Sequence, residues 1–428
     1  MFADKDNSSY KQKEDSIKVR NRYLYITLLS ILAWHAEAQG LQGTRKVPKL
    51  VVNITVDQLS SDYLDLFSPT YSENGFLKLL AEGLVFENAS CGFTDIDASS
   101  AISSVVTGTV PFNHTITGNQ WIDRKTLRPV SPTPEDLSSS TIGDELKRAT
   151  HGAGKVYAVA ASKTVAQLAG GHHPDGTFWN ENAKKPWISS DITDKALRLI
   201  TEKGLGQDSI PDMLLLTYDA SDQNRQTYIQ IDQELAKLVA QAEEQIGRGE
   251  TLFLLSSTGY IANKSSDLER YHIPTGTFYI NRAANLLNMY FGGLWGQEKY
   301  VEAYLKNQLY LNRQLIENKH VTIQDALQRA KEFLLQMAGV RQVSFHPFES
   351  HCGDLFIDLA PGWQIENEDT HEHYQNTTPL AYFPIIIYGL DFQPAHVSTP
   401  VTIDRIAPSI SKAIRIRAPN ACISAPLF

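Results

Sequence analysis

The chain has 428 residues, of which 42% are hydrophobic and 20% charged. That composition suits one large globular domain with an insertion, or two domains, and excludes a disordered chain or a membrane bundle. A formal net charge of -9 and a pI of about 5.8 exclude the broad basic footprint that holds nucleic acid, so any phosphate-handling role must rest on local features.

At the N-terminus, Lys18, Arg20 and Arg22 precede an apolar run from Tyr23 to Trp34, and Ala36-Glu37-Ala38 follows as a small-x-small cleavage site. This is the pattern of a secretory signal peptide. The run is shorter than the roughly 20 apolar residues that a spanning helix needs. Residues 1–38 are therefore read as an N-terminal extension and signal peptide. Export to the periplasm or beyond is expected, with no membrane span after cleavage. The polar stretch Met1 to Ile17 is long for such a leader and leaves the true start open. Cys91, Cys352 and Cys422 form no CxxC pair, so at most one intramolecular disulfide is available. Each is read as a buried small hydrophobe.

The run Lys49 to Val56 has the β-branched composition of a buried parallel strand, with Asp57 at its carboxyl end, where open α/β sheets collect ligands. Phe76, Leu79 and Leu80 have helical spacing within Glu73 to Ala81, Gly83 reads as a C′ glycine, and a second strand is expected around Leu84 to Glu87. Thr141 and Asp144 form a capping-box signal before a helix running to Ala149, and Lys155 to Ala160 is another strand. A strand over Met213 to Thr217 ends near Asp219 and Asp222. The helix Gln230 to Ile246 and the strand Leu252 to Ser256 continue the alternation. From about Asn263 to Gln342 the texture turns helical and aromatic, with a second capping box at Thr322 to Asp325. Strands are expected again at Asp354 to Leu359 and Phe383 to Tyr388, and a helix from Ile406. Alternation of this kind predicts a doubly wound α/β/α sandwich interrupted by a helical cap.

Seven short motifs recur in one order: Val56-Asp57-Gln58, Thr107 to Pro111, Gly118 to Trp121, Thr141 to Lys147, Gly170 to His172, Gly353 to Trp363 and Ile403 to Ile410. Together they resemble the phosphate-irrepressible alkaline phosphatases and their type I phosphodiesterase and nucleotide pyrophosphatase relatives in the alkaline-phosphatase superfamily. The resemblance runs over nearly all of the chain from Lys49. It implies an alkaline-phosphatase-like core in 39–262 and 343–428, with a mostly parallel central sheet, and a helical cap in 263–342.

In that family two zinc ions hold a phosphoryl group between an activated nucleophile and the leaving oxygen. The resemblance assigns the first zinc-binding aspartate to Asp57. It puts the nucleophile on Ala98, which has no oxygen to attack with, and Ala101-Ile102 replaces the dipeptide expected after it. Ser99 and Ser100 beside it are the fallback nucleophiles. An expected Asp-x-x-x-His pair falls on Asp222 and Gln226. Ser256-Ser257-Thr258-Gly259 stands where Asp-His-Gly is expected. A last histidine falls on His373, with His371 as a substitute. Asn119 matches a phosphoryl-contacting asparagine, but the Lys-x-Arg pair falls on Ser162 and Thr164, leaving only Lys163 between them. His172-His173-x-Asp175 is read as structural, and His346, His351 and Cys352 as packing or surface residues.

The implied metal set of Asp57, Asp222 and His373 is too small for two zinc ions. The leading expectation is therefore an exported pseudoenzyme, without cofactor, that acts as a binding or scaffolding protein of the cell envelope. Its partner would be an envelope protein, an active paralogue, or a phosphorylated or sulfated ligand held near Asn119 and Lys163. The alternative is a metal-dependent phosphomonoesterase or phosphodiesterase with zinc on a rewired site and Ser99 or Ser100 as nucleophile.

Overall fold

The computed structural model describes residues 46–181, 187–262, 272–345, 351–374 and 377–428. The expected leader, the expected start of the mature chain and His346 lie outside them. Val47–Phe428 forms one compact unit. Its first part carries β1 (Leu50–Asp57), α1 (Ser61–Phe67), α2 (Phe76–Glu82), β2 (Leu84–Ser90), α3 (Ala98–Thr107) and the one-turn α4 (Pro111–His114). The hairpin β3 (Trp121–Asp123) and β4 (Arg128–Val130), α5 (Ile142–Ala149), β5 (Val156–Ala160), α6 (Lys163–Gly170) and β6 (Gly176–Phe178) follow. Next come α7 (Ser189–Lys203), β7 (Asp212–Asp219), α8 (Arg225–Gln245), β8 (Thr251–Ser257) and β9 (Tyr260–Ala262).

An insertion holds β10 (Gly276–Tyr279), α9 (Ile280–Trp295), β11 (Val301–Leu305), β12 (Gln308–Leu311), α10 (Arg313–Asn318) and α11 (Ile323–Leu334). It continues with β13 (Val340–Phe345), β14 (Leu355–Leu359), β15 (Trp363–Asn367) and β16 (Glu372–Tyr374). The chain returns through β17 (Thr377–Pro379), β18 (Phe383–Gly389), β19 (Ala395–Val397), β20 (Val401–Thr402) and α12 (Ile406–Ile414).

The main sheet has the order β19-β2-β18-β8-β1-β7-β5-β6, with β20 beside β2. It is the mostly parallel sheet that the strand-helix alternation predicts, and β18 alone runs against both of its neighbours. Side chains along a strand alternate between the two faces. Leu50, Val52, Ile54 and Val56 of β1 pack with α1, α2, α7 and α8, whereas Val51 packs with α3, α5, α6 and α12. The same alternation turns Asn53, Thr55 and Asp57 toward α3. On β7, Met213 and Leu215 belong to the α3 side, which carries Thr217 and Asp219 to that side too.

Local signals explain most element ends. The Asp144 N–H donates to Thr141 Oγ1 at 3.1 Å and the Thr141 N–H to the Asp144 carboxylate at 2.8 Å, which closes the expected capping box on α5. Gly83 differs from expectation: its φ is -92°, so it is not a left-handed cap. A β-carbon there would lie 2.4 Å from the Leu79 carbonyl oxygen and 3.0 Å from that of Ile387, so close packing against β18 is what requires glycine.

The insertion carries the expected helices but also two sheets of its own, β10-β15-β16 and β11-β12-β14-β13. The strand expected to resume the core, Leu355–Leu359, pairs with β12 and β13 instead. The core is rejoined only at β17 and β18. Alternating apolar residues mark a strand as half-buried without naming its sheet, and here Leu355 and Ile357 pack with Leu309, Leu311 and Val343 under α9 and α11.

Core and insertion are fastened by one buried carboxylate. Asp354, with no exposed surface, lies 2.9 Å from Arg124 and 2.6 Å from Arg313 and accepts from the Leu311 N–H at 2.6 Å. Arg124 comes from the β3–β4 hairpin of the core and stands over the Tyr310 ring, 5.1 Å from its centroid. The Tyr310 hydroxyl accepts from the Ile122 N–H at 3.0 Å. Removing one side of such a buried pair costs on the order of 3–5 kcal/mol, because the partner charges are left uncompensated. Asp354→Ala should lose about that much in urea denaturation, and a loss below about 1 kcal/mol would contradict this role.

Candidate functional site

Parallel pairing of β1 with β7 sets Asp57 directly beside Asp219 at the carboxyl ends of the strands. The next neighbour, β8, ends at Ser257, so Thr258 follows at the same edge. Gln58 turns the chain with φ of 60°, and its N–H donates to Thr258 Oγ1 at 2.9 Å. Thr258 in turn donates to Asp57 Oδ1 at 2.7 Å, and the Tyr260 hydroxyl reaches Oδ2 at 3.5 Å. Burial and the Asp219 charge push the Asp57 carboxyl up to about 7, against the lowering effect of these two hydroxyls.

Above this edge sits the N-terminus of α3. Asp97 is its N-cap: Oδ1 accepts from the Ser100 N–H at 3.1 Å, and Oδ2 accepts from the Asn119 N–H. The Ser99 N–H donates to Asn119 Oδ1 at 3.1 Å. Two of the amide hydrogens that a helix N-terminus would offer to an anion, those of Ser99 and Ser100, are thus taken by the chain's own oxygens. His114 braces the other end of this region from α4. Its Nδ1 accepts from the Ile116 N–H at 3.1 Å, which assigns the proton to Nε2 for a 2.9 Å bond to Ser104 Oγ. Burial pushes its pKa down to about 3, so it stays neutral.

A cleft of about 400 Å³ opens at the strand ends, lined by Asp57, Ala98, Asn119, Thr217, Asp219 and Lys306, among others. Lys306 belongs to the β11–β12 turn of the insertion and also lines an adjoining groove of about 570 Å³. The structure therefore brings together three of the residues singled out from sequence, Asp57, Ala98 and Asn119. Ala98 is the first residue of α3 and presents a methyl group to the cleft. Neither fallback serine is placed to replace it. Ser99 is fully buried with no partner for its hydroxyl among the described residues. Ser100 Oγ accepts from the Asp97 N–H at 3.0 Å and donates to the Asp97 carbonyl at 3.1 Å.

Three expected residues lie elsewhere. Asp222 stands past the strand end, where its carboxylate binds Asn224 and Thr227 at 2.5 and 2.7 Å. The cleft-lining aspartate is Asp219, and the residue four positions on is Gln223. Sequence reasoning noted Asp219 only as a strand end. Its pairing with Asp57 needs the sheet register, which no local pattern carries. Lys163 is the first residue of α6, and successive helical side chains diverge by about 100°. Ser162 and Thr164 line the cleft while the Lys163 ammonium lies 5.6 Å from the Trp179 ring centroid. Lys306 supplies the cleft's cation instead, and only its place in the folded insertion reveals it.

His373 is on β16 in the outer groove, largely exposed, 3.5 Å from Glu366, and does not line the Asp57 cleft. His371 sits exposed in the preceding turn with φ of 56°. The pair His172-His173 holds Asp144, through the His172 ring at 2.8 Å and both backbone N–H groups, and Asp175 accepts from the Val156 N–H at 2.7 Å. These residues serve the fold. The His351 ring packs on Trp121 at 4.9 Å, and Cys352 is fully buried.

The donor set does not fit the two zinc ions that the resemblance implies. Zinc takes imidazole and thiolate along with carboxylate, and a catalytic ion keeps three protein ligands. Around the cleft stand two carboxylates, the Thr258 and Tyr260 hydroxyls and the Asn119 and Gln120 amides, with no imidazole among the described residues joining them. Among the described residues no three His, Cys, Asp or Glu are grouped to hold a metal ion.

A doubly wound α/β/α sandwich that delivers carboxylates from central strands to the N-terminus of a helix, beneath an inserted cap, has the architecture of the alkaline-phosphatase superfamily. The profile of the type I phosphodiesterase / nucleotide pyrophosphatase family matches residues 51–380, and the chain belongs to that family. Alkaline phosphatase PafA from Elizabethkingia meningoseptica is 22% identical over 525 aligned positions, covering 91% of this chain and 96% of the relative. Alkaline phosphatase PhoV from Synechococcus elongatus is 34% identical over 196 residues, 40% of this chain and 36% of its own length. The crystal structure of wild-type PafA superposes with a TM-score of 0.72 at 20% identity, covering 89% and 98% of the two chains. An inactive threonine-to-alanine variant of murine ectonucleotide pyrophosphatase / phosphodiesterase 5, in complex with AMP, gives 0.59 at 14% identity over 86% and 95%.

The Asp57 carboxyl has a sign that can be tested. Between its ordinary value of 3.8 and about 7, the folded protein holds a proton that the unfolded chain has released, so this group's contribution to stability falls as pH rises through that window. The interval sets a ceiling of about 4 kcal/mol, reduced because the cleft admits water. Asp57→Asn should match the parent in urea denaturation at pH 4 and exceed it by about 2 kcal/mol at pH 8. A constant difference across that range would rule out the buried, charge-opposed carboxyl.

Proposed function

We propose that this chain is an exported, non-catalytic member of its family that works as a binding or scaffolding protein of the cell envelope. The observation that carries this reading is the methyl group of Ala98 at the first position of α3, where the family nucleophile is expected. Two further features support it. Ser99 and Ser100 are buried or committed to the helix cap, and among the described residues the cleft offers carboxylates and hydroxyls without the imidazoles that two zinc ions would need. The murine relative inactivated by a threonine-to-alanine change carries the same kind of exchange. Export rests on the leader pattern of residues 1–38. The partner class in keeping with this role is an envelope protein or an active paralogue.

The relatives include alkaline phosphatases, so the reading meets a direct test. Purified chain should hold substoichiometric zinc and hydrolyse aryl phosphate monoesters and diesters no faster than buffer. Two zinc ions per chain together with turnover would overturn the proposal. Ala98→Thr should not create activity, because a hydroxyl there still faces two carboxylates without an ion to lower its pKa. A rise of more than tenfold over the parent would show that the nucleophile alone was missing.

A further inference from the structure

The floor of the cleft carries more negative charge than the protein neutralises. Asp57 and Asp219 face it from register-paired positions, and no Lys, Arg or His of the described residues stands within salt-bridge range of either. Their hydrogen bonds come from the Thr258 and Tyr260 hydroxyls and from the Ser221 N–H at 2.8 Å. Lys306 lines the same cleft without pairing to them, which leaves one negative charge in excess once Asp57 is ionised. Thr217 is a separate observation pointing the same way. It is 7% exposed, stands two residues before Asp219 on the α3 side and lines the cleft, and its hydroxyl has no hydrogen-bond partner among the described residues.

A phosphate dianion entering here would meet like charge, and two of the α3 amide hydrogens that would offset it, those of Ser100 and Ser99, are already bonded to Asp97 and Asn119. An ammonium group has three N–H donors and no acceptor, which matches two carboxylates and a free hydroxyl oxygen. A cleft of about 400 Å³ suits a small ligand. We propose that this cleft binds a primary alkylammonium group, with Asp57, Asp219 and Thr217 accepting its three N–H donors. The inference rests on the non-catalytic reading of the cleft and replaces the phosphorylated ligand expected from sequence.

Isothermal titration of the full chain at pH 8 with n-pentylamine tests it, with inorganic phosphate as competitor. One saturable site is expected, weakened at least tenfold by Asp219→Asn and at least threefold by Thr217→Val, unchanged by Asp222→Asn, and not displaced by phosphate. Asp57→Asn should bind at least tenfold more weakly while remaining fully folded by circular dichroism, which separates loss of binding from unfolding. Acetyl-Gly-Lys-Gly-amide in place of the amine distinguishes a free amine from a lysine side chain: tighter binding of either identifies the source. Equal binding by the parent and Asp219→Asn, absence of saturation, or displacement by phosphate would overturn the proposal. Aryl phosphate turnover in the same samples would overturn the non-catalytic reading, whereas no amine binding without turnover would overturn this inference alone.

Discussion

The in-register parallel pairing of β1 with β7 is the constraint on which the rest of the site depends. It holds two aspartates at adjacent strand ends, about 4.8 Å apart along the hydrogen-bonding direction. Like charges at that spacing, partly removed from water, oppose each other's ionisation. Thr258, at the end of the neighbouring strand, answers part of that cost with its hydroxyl. Hydroxyl-to-carboxylate hydrogen bonds close this strand edge.

The N-terminus of α3 has been turned inward in a similar way. A helix start aimed at a cleft is a ready anion site, since its leading N–H groups and its dipole both favour negative charge. Asp97 and the Asn119 amide oxygen take two of those groups, the Ser100 and Ser99 N–H, from within the chain. The capping box through Ser100 also commits the hydroxyl two residues after Ala98 to the backbone. These internal hydrogen bonds hold the start of the helix in place.

Two of the motifs that carry the resemblance hold the architecture. The segment Gly118 to Trp121 leads into the hairpin whose Arg124 meets the buried Asp354 of the segment Gly353 to Trp363. Gly353 packs so closely that a β-carbon would lie 2.8 Å from that of Gln308. Two distant motifs therefore persist as the two halves of one clamp between core and insertion. Through that clamp the β11–β12 turn is fixed over the cleft and brings Lys306 to its rim.

The sequence alone determined the alternating strands and helices, the capping box at Thr141 and the N-cap at Thr322, the absence of an oxygen at Ala98 and the family. Each is encoded locally, in side-chain periodicity, in short-range hydrogen-bonding pairs or in the identity of a single residue. Tertiary structure decided which strand end faces which. It chose Asp219 over Asp222, turned Lys163 away onto Trp179, brought Lys306 in from the insertion and gave Leu355–Leu359 to the insertion's own sheet. These outcomes depend on register and on which sheet a strand joins. Both are set by packing between residues far apart in the chain, and an apolar pattern read along one segment contains no term for them.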